Sequence, residues 1–195
     1  MELSISFSQL KANLDVIRKL IANISAINVT HIEYRTFDEG YCNADFFVLS
    51  KNEIKDELEA FIVLWTYQLH FYEEWKLTDT NVCSTDSIVN VWMLPTLEKY
   101  LFNQLPPDQV SKEIDSMVRS ILLCISETSD GDKSEAPERW GVFKNDMLVS
   151  SSTSLSELGL SDINFGIGLS LDWNEIDIMY HTDKDYVFYS WSTGA

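Results

Sequence analysis

The sequence predicts an α+β fold: an N-terminal strand, helix and hairpin, a run of central amphipathic helices, and a C-terminal antiparallel β-meander. Two observations carry this. Apolar residues recur at helical spacing through most of the first 125 residues and at period two through the last 56. The two regimes are also segregated along the chain, whereas a parallel βαβ fold would alternate them.

Taken in order, Leu3, Ile5 and Phe7 alternate with polar positions and predict a short first strand. Ser6 and Gln9 have the spacing of a capping box, which opens a helix whose apolar face is Leu10, Leu14, Ile17, Ile21 and Ile24. Residues 29–37 and 44–49 read as two strands of a hairpin around the turn residues Asp38, Glu39 and Gly40. Ser50 and Glu53 form a second capping box before the strongest helix. Its stripe is Ile54, Leu58, Phe61, Ile62, Trp65, Leu69 and Tyr72, with Asp56, Glu59 and Glu74 opposite. Tyr67, His70 and Phe71 fall off that stripe and predict a second packed layer.

A third helix is expected over 86–102 on Ile88, Val91, Trp92 and Leu94, broken or kinked at Pro95. Trp65 and Trp92 are both expected in the core. A fourth helix starts at Pro106-Pro107-Asp108 and carries Val110, Ile114, Met117, Val118, Ile121 and Ile125. Residues 127–138 read as an acidic connection, and 140–143 with 147–149 as a hairpin. Residues 150–154 form a Ser/Thr-rich loop. Phe165, Ile167, Leu169 and Leu171, then Ile176, Ile178 and Tyr180, then residues 186–191 give the meander, with turns at 172–175 and 181–185. The last strand is apolar on both faces, so it is either central and sandwiched or it meets a partner. The chain reads as a single domain, 1–195, with a subdivision into a mainly helical part, 1–125, and an antiparallel sheet, 139–195.

The composition excludes several functions. With 31 acids against 14 bases the formal net charge is −17, which opposes direct contact with nucleic acid or an anionic membrane surface. At 45% hydrophobic and 12% aromatic residues the chain can still bury a core. The longest clean apolar runs, 61–65 and 121–125, are far short of the roughly 20 residues of a membrane span. The N-terminus lacks a basic start and apolar run, and the three cysteines, Cys42, Cys83 and Cys124, form no C-x-x-C pair. The expectation is a cytoplasmic chain with free thiols.

Tests for chemistry are negative. There is no G-x-S-x-G and no P-loop, and Gly166-x-Gly168 lies in a strand pattern, where it signals a bulge or a close backbone approach. Asp130-Gly131-Asp132-Lys133-Ser134 begins like a calcium loop. It has Glu135 where such a loop needs glycine, and Gly141 where it needs glutamate. His70 and Glu74 share a helix face without further ligands, and Cys42 and His31 could meet across the first hairpin, where a buried or inert cysteine is the default. No catalytic residue, cofactor or metal site is expected.

The charge is uneven. Residues 126–195 hold 13 acids and 4 bases, and after Lys144 the one base is Lys184. The expectation is a non-catalytic acidic binding protein. It would be an immunity or inhibitor protein of bacterial type that neutralises a basic toxin, such as a nuclease, through Asp172, Trp173, Glu175, Asp177, Asp183 and Asp185. The alternatives are a DNA-mimic anti-restriction protein and a secretion chaperone or adaptor.

Overall fold

The computed structural model describes residues 2–23, 32–38, 42–72, 84–128, 142–144, 147–150 and 162–193. It shows helices packed on a six-stranded antiparallel sheet of order β1-β2-β8-β7-β6-β3, with a separate two-stranded hairpin. The strands are β1 (Ile32–Asp38), β2 (Cys42–Ser50), β3 (Asn103–Leu105), β4 (Val142–Lys144), β5 (Met147–Ser150), β6 (Gly166–Leu171), β7 (Glu175–His181) and β8 (Asp185–Thr193). The predicted meander is β6-β7-β8, and the predicted hairpins are β1-β2 and β4-β5. The two halves of the sequence meet in one sheet, because β8 pairs with β2 over nine residues, from Cys42 opposite Thr193 to Ser50 opposite Asp185.

That pairing answers the question posed by the doubly apolar last strand. β8 is central and covered on both sides. Tyr34, Phe47, Leu49, Met179 and Phe188 face one core, under helices α1 (Phe7–Ala12), α2 (Leu14–Ala22), α3 (Glu57–Tyr72) and α4 (residues 85–99). Ala44, Phe46, Val48, Ile178, Tyr180, Val187, Tyr189 and Trp191 face a second core with Val110 and Ile114 of α5 (Pro107–Thr128). The period of two separates these sets strictly. No helix among the described residues is long and apolar enough to cross a membrane.

The expectations for the first 60 residues are modified in four places. Residues 2–6 form no strand: Leu3 and Ile5 are buried beneath the helices, and α1 begins at Phe7. Ser6 caps it as expected, its Oγ accepting from the Gln9 amide at 3.4 Å. The Gln9 side chain, however, accepts from that hydroxyl rather than reaching back to the Ser6 amide. The single first helix is two, since Asn13 (φ −108°, ψ 21°) ends α1 and its side chain bonds the Gln9 carbonyl. Ser50 caps a short 3₁₀ turn, Lys51–Glu53, whereas the long helix is capped by Asp56, which accepts from the Glu59 amide at 2.9 Å.

α3 is buried nearly all round (Ala60, Phe61, Ile62, Leu64, Trp65 and Thr66), because it lies between the sheet and α2. Tyr67 packs edge-on to Phe47, giving the expected second layer for that residue; the side chains of His70 and Phe71 lie outside the described residues. α4 contains a π-helical turn, Ile88–Met93, directly before Pro95. The turn rephases the helix, so Ile88, Val89, Met93 and Leu97 are buried, while Val91 is 59% and Trp92 48% exposed. Trp92 is therefore a surface residue, and Trp65 alone of that pair is core. Gly166-x-Gly168 lies inside the unbroken strand β6 and shows both the expected bulge and the expected close approach. A Cβ on Gly166 would lie 2.9 Å from Val110 Cγ2, and the β6–β7 register shifts between Gly168 and Ser170.

Candidate functional site

The structure divides the six expected docking residues among three places. Asp172, Trp173 and Glu175 form the β6–β7 turn, and all three are exposed. The turn is fixed by backbone bonds on two sides: the Asp172 amide donates to the Glu175 carbonyl at 2.9 Å, and the Thr193 amide of β8 donates to the Asn174 carbonyl at 3.1 Å. Trp173 at its tip is 77% exposed.

Asp183 and Asp185 belong to the β7–β8 turn at the other end of β7. Seven strand residues separate the two ends by roughly 20 Å. Asp183 accepts from Asn164 Nδ2 at 3.0 Å, and Asp185 is half-buried. Burial raises the Asp185 carboxyl, and the Arg35 charge opposes that rise. This end also holds a cation. Lys51 Nζ stands 3.2 Å from His181 Nδ1, bonds the Thr182 carbonyl and lies 5.3 Å over the Tyr186 ring.

Asp177 is the correction. It is an interior residue, 3% exposed, and offers no docking surface. Its phase along β7 explains why. Asp177 shares the face of Met179, which points into the helix-covered core, and alternation on the strand cannot bring it out. Its Oδ2 accepts from the Tyr100 hydroxyl at 2.9 Å and its Oδ1 from Ser190 Oγ at 2.7 Å. The Tyr100 oxygen in turn accepts from Trp65 Nε1 at 3.2 Å. Burial pushes the Asp177 carboxyl up to about 6; the bonds from Ser190 and Tyr100 oppose that rise, and the Glu175 charge adds to it. Burial, followed by the charge of Asp177, holds the Tyr100 phenol well above its usual range.

Asp177 is one member of a polar band. The register sets Thr36 opposite Asp45, Asp45 opposite Ser190, Ser190 opposite Asp177, and Asp177 opposite Ser170. The band thus crosses five strands on the face covered by α1–α4. Asp45 is buried as well, accepting from the Tyr34 hydroxyl at 2.7 Å and from Asn43 Nδ2. Ser192 Oγ donates to Asn43 Oδ1 at 2.7 Å, so the next row toward the strand ends is polar too. Buried ionisable groups of this kind are costly and are found disproportionately at functional sites. Sequence reading missed Asp45, Tyr100 and Ser190. A signal existed for Asp45, an acid inside the run Ala44–Leu49 that is otherwise apolar.

Among the described residues no group of three or more His, Cys, Asp or Glu side chains could hold a metal ion. The Asp130–Ser134 loop, Glu74, His31 and the His70 side chain lie outside the described residues; Cys42 is half-buried at the start of β2. Compared with known proteins, the chain matches no family model, no curated protein and no solved structure.

Proposed function

We propose that the chain is a non-catalytic acidic binding protein of the immunity or inhibitor kind, neutralising a basic protein toxin, and that the β6–β7 turn is its docking point. One observation carries the reading. Trp173 stands 77% exposed on a turn pinned by two backbone bonds, between the exposed carboxylates of Asp172 and Glu175. A large aromatic held on rigid backbone loses little conformational freedom on binding, and tryptophan is among the residues most enriched at binding hot spots. The flanking acids, within a net charge of −17, favour a cationic partner and accelerate its approach. The same end of the sheet presents Leu101, 55% exposed, whose amide bonds the Leu169 carbonyl of β6. The reading puts the chain in the cytoplasm, on the strength of an odd cysteine count with no C-x-x-C pair.

The test is co-expression with proteins encoded beside its gene. A basic protein that is toxic alone and tolerated in a 1:1 complex supports the reading. The complex should weaken as salt rises and should be lost on Trp173→Ala. Salt-insensitive capture of a disordered apolar segment would point instead to a chaperone. Binding confined to a nucleic-acid groove, and competed by DNA, would point to a DNA mimic.

A further inference from the structure

The connector from α4 into β3 is held under strain. Phe102 has φ 52°, the one positive φ among described non-glycine residues, and a bulky side chain is rarely accommodated there. The π-helical turn lies in the helix immediately upstream. π-helical turns are frequent at functional sites, and residues held in sparsely populated backbone regions cluster at ligand clamps and switch segments.

Residues 100–105 are anchored at their end by Leu105, buried in the second core, and held before it by a short set of contacts. The Tyr100 hydroxyl bonds Asp177 and accepts from Trp65. The Leu101 amide donates to the Leu169 carbonyl at 2.9 Å. The Phe102 ring lies 6.4 Å from Phe61 and 6.3 Å from Tyr100. β3 pairs with β6 over three residues at the sheet edge, and the Gln104 side chain bonds the Leu3 carbonyl.

We propose that residues 100–105 form a strap over the buried polar band, and that the opening of this strap is coupled to the charge on Asp177, closed over the neutral carboxyl and open more often over the carboxylate. The geometry makes Tyr100 both the cover of Asp177 and the strap's hydrogen bond into the sheet interior. The charged and titratable groups around Asp177 are Tyr100 on the strap, Glu175 on its own strand and Asp45 on β2 beyond Ser190. α3 contributes the neutral Trp65 indole, and no cation acts on Asp177 among the described residues. A carboxylate enclosed without a countercharge gains most from water, and lifting Tyr100 admits it.

The closed strap holds the proton up to about pH 6, while a solvated carboxyl releases it near 3.8. Opening therefore releases a proton between those values, and raising the pH favours the open strap. The gap limits the effect to about a 100-fold rise in the opening constant.

The experiment is amide hydrogen exchange by NMR on the intact protein from pH 5 to 8, corrected for the intrinsic base-catalysed rate. The reporters are the Leu101 amide and, as a control, the Phe188 amide in the central strand. The expected result is about a tenfold loss of Leu101 protection across that range. Phe188 loses protection by a similar factor, since global unfolding releases the same proton. Its opening free energy is much larger, however, and urea lowers it steeply while leaving that of Leu101 nearly unchanged. Asp177→Asn should flatten the Leu101 profile. Tyr100→Phe should raise Leu101 exchange at every pH and move the profile's midpoint upward, because the lost bond favoured the carboxylate. Equal opening free energies at Leu101 and Phe188 that fall alike in urea would mean global unfolding and overturn the proposal. So would a Leu101 profile that persists in Asp177→Asn. Should that variant fail to fold, the carbon-13 shift of the Asp177 carboxyl in the native protein decides: a midpoint below 5 overturns the strap and a midpoint near 6 supports it.

Discussion

Glu175 and Asp177 stand two residues apart on β7 and face the same side of the sheet, yet Glu175 is in water and Asp177 lies under Tyr100. The strand runs from the surface into the core within that interval, so two acids with one sequence environment acquire different chemistry. Glu175 can meet a partner. Asp177 can only lower the stability of the fold when it ionises.

The first prediction follows from that cost. Below pH 3.8 Asp177 is protonated in both folded and unfolded chains and contributes nothing. Between 3.8 and about 6 the unfolded chain loses the proton first, so stability falls as pH rises. Above 6 the penalty is complete, at roughly 3 kcal/mol or less. Asp177→Asn should therefore be more stable than the native protein at pH 8 by roughly 1–3 kcal/mol, and close to it at pH 4. Urea unfolding at the two pH values measures this. A native protein that gains stability from Asp177 as pH rises would contradict it.

The second prediction concerns the π turn of α4. A regular helix on Ile88, Val91, Trp92 and Leu94 would bury Trp92, but the structure buries Met93 and Leu97 instead. Met93→Ala should cost about 2–5 kcal/mol, as core truncations do. Trp92→Ala, despite removing a far larger side chain, should cost clearly less, because about half of the ring stands in water. Equal losses in the two variants would restore the regular helix.

These cases show where the sequence was legible. Strand alternation survives in β7 and β8, because their two-sided burial leaves no freedom in phase. In β6, by contrast, the register shift between Gly168 and Ser170 puts Leu171 against the second core while Ile167 and Leu169 face the first. Helical phase was lost wherever backbone intervened. Asn13 splits the first helix by its own conformation, and the π turn adds a residue to one turn of α4. The docking residues fared according to their distance from a turn. Asp172, Trp173, Glu175 and Asp183 are exposed because turns are, while Asp177 is inside because it lies two residues into the strand. The polar band was invisible for a different reason. Its members are one each from β1, β2, β6, β7 and β8, and a register between distant strands is not written in any local pattern.

A third prediction separates the two strand glycines. A methyl group on Gly166 would meet Val110 Cγ2 at 2.9 Å, the Met179 carbonyl oxygen at 3.0 Å and Tyr180 Cβ at 3.1 Å, two of them fixed by the adjacent strand. On Gly168 it would meet the ends of Leu171 at 2.9 Å and Leu105 at 3.2 Å, and the half-buried Leu171 can turn away. Gly166→Ala should cost about 1–3 kcal/mol, with Gly168→Ala well below it. Thermal unfolding of the pair checks the order; a larger loss at Gly168 would show that α5 yields more easily than the Leu171 side chain.

The last prediction tests the docking end against its opposite. The β6–β7 turn presents Asp172 and Glu175 beside Trp173, whereas the β7–β8 turn carries Asp183 close to Lys184 and to the Lys51 that bonds the Thr182 carbonyl. A basic partner steered by charge should feel the first far more than the second. Reversing both Asp172→Lys and Glu175→Lys should slow association at low salt by about tenfold, with little change in dissociation. Asp183→Lys should alter it by less than about twofold, since the lysines there already dilute the field. Trp173→Ala should act oppositely, leaving the on-rate and raising the off-rate by about 30-fold or more, the signature of a lost hot spot. Its folding stability should stay within about 0.5 kcal/mol, because the ring is exposed. Stopped-flow association and surface-plasmon dissociation with the captured partner separate the two rates. If Asp183→Lys slows association more than the double reversal, docking is at the β7–β8 turn, and the exposed Trp173 has another use.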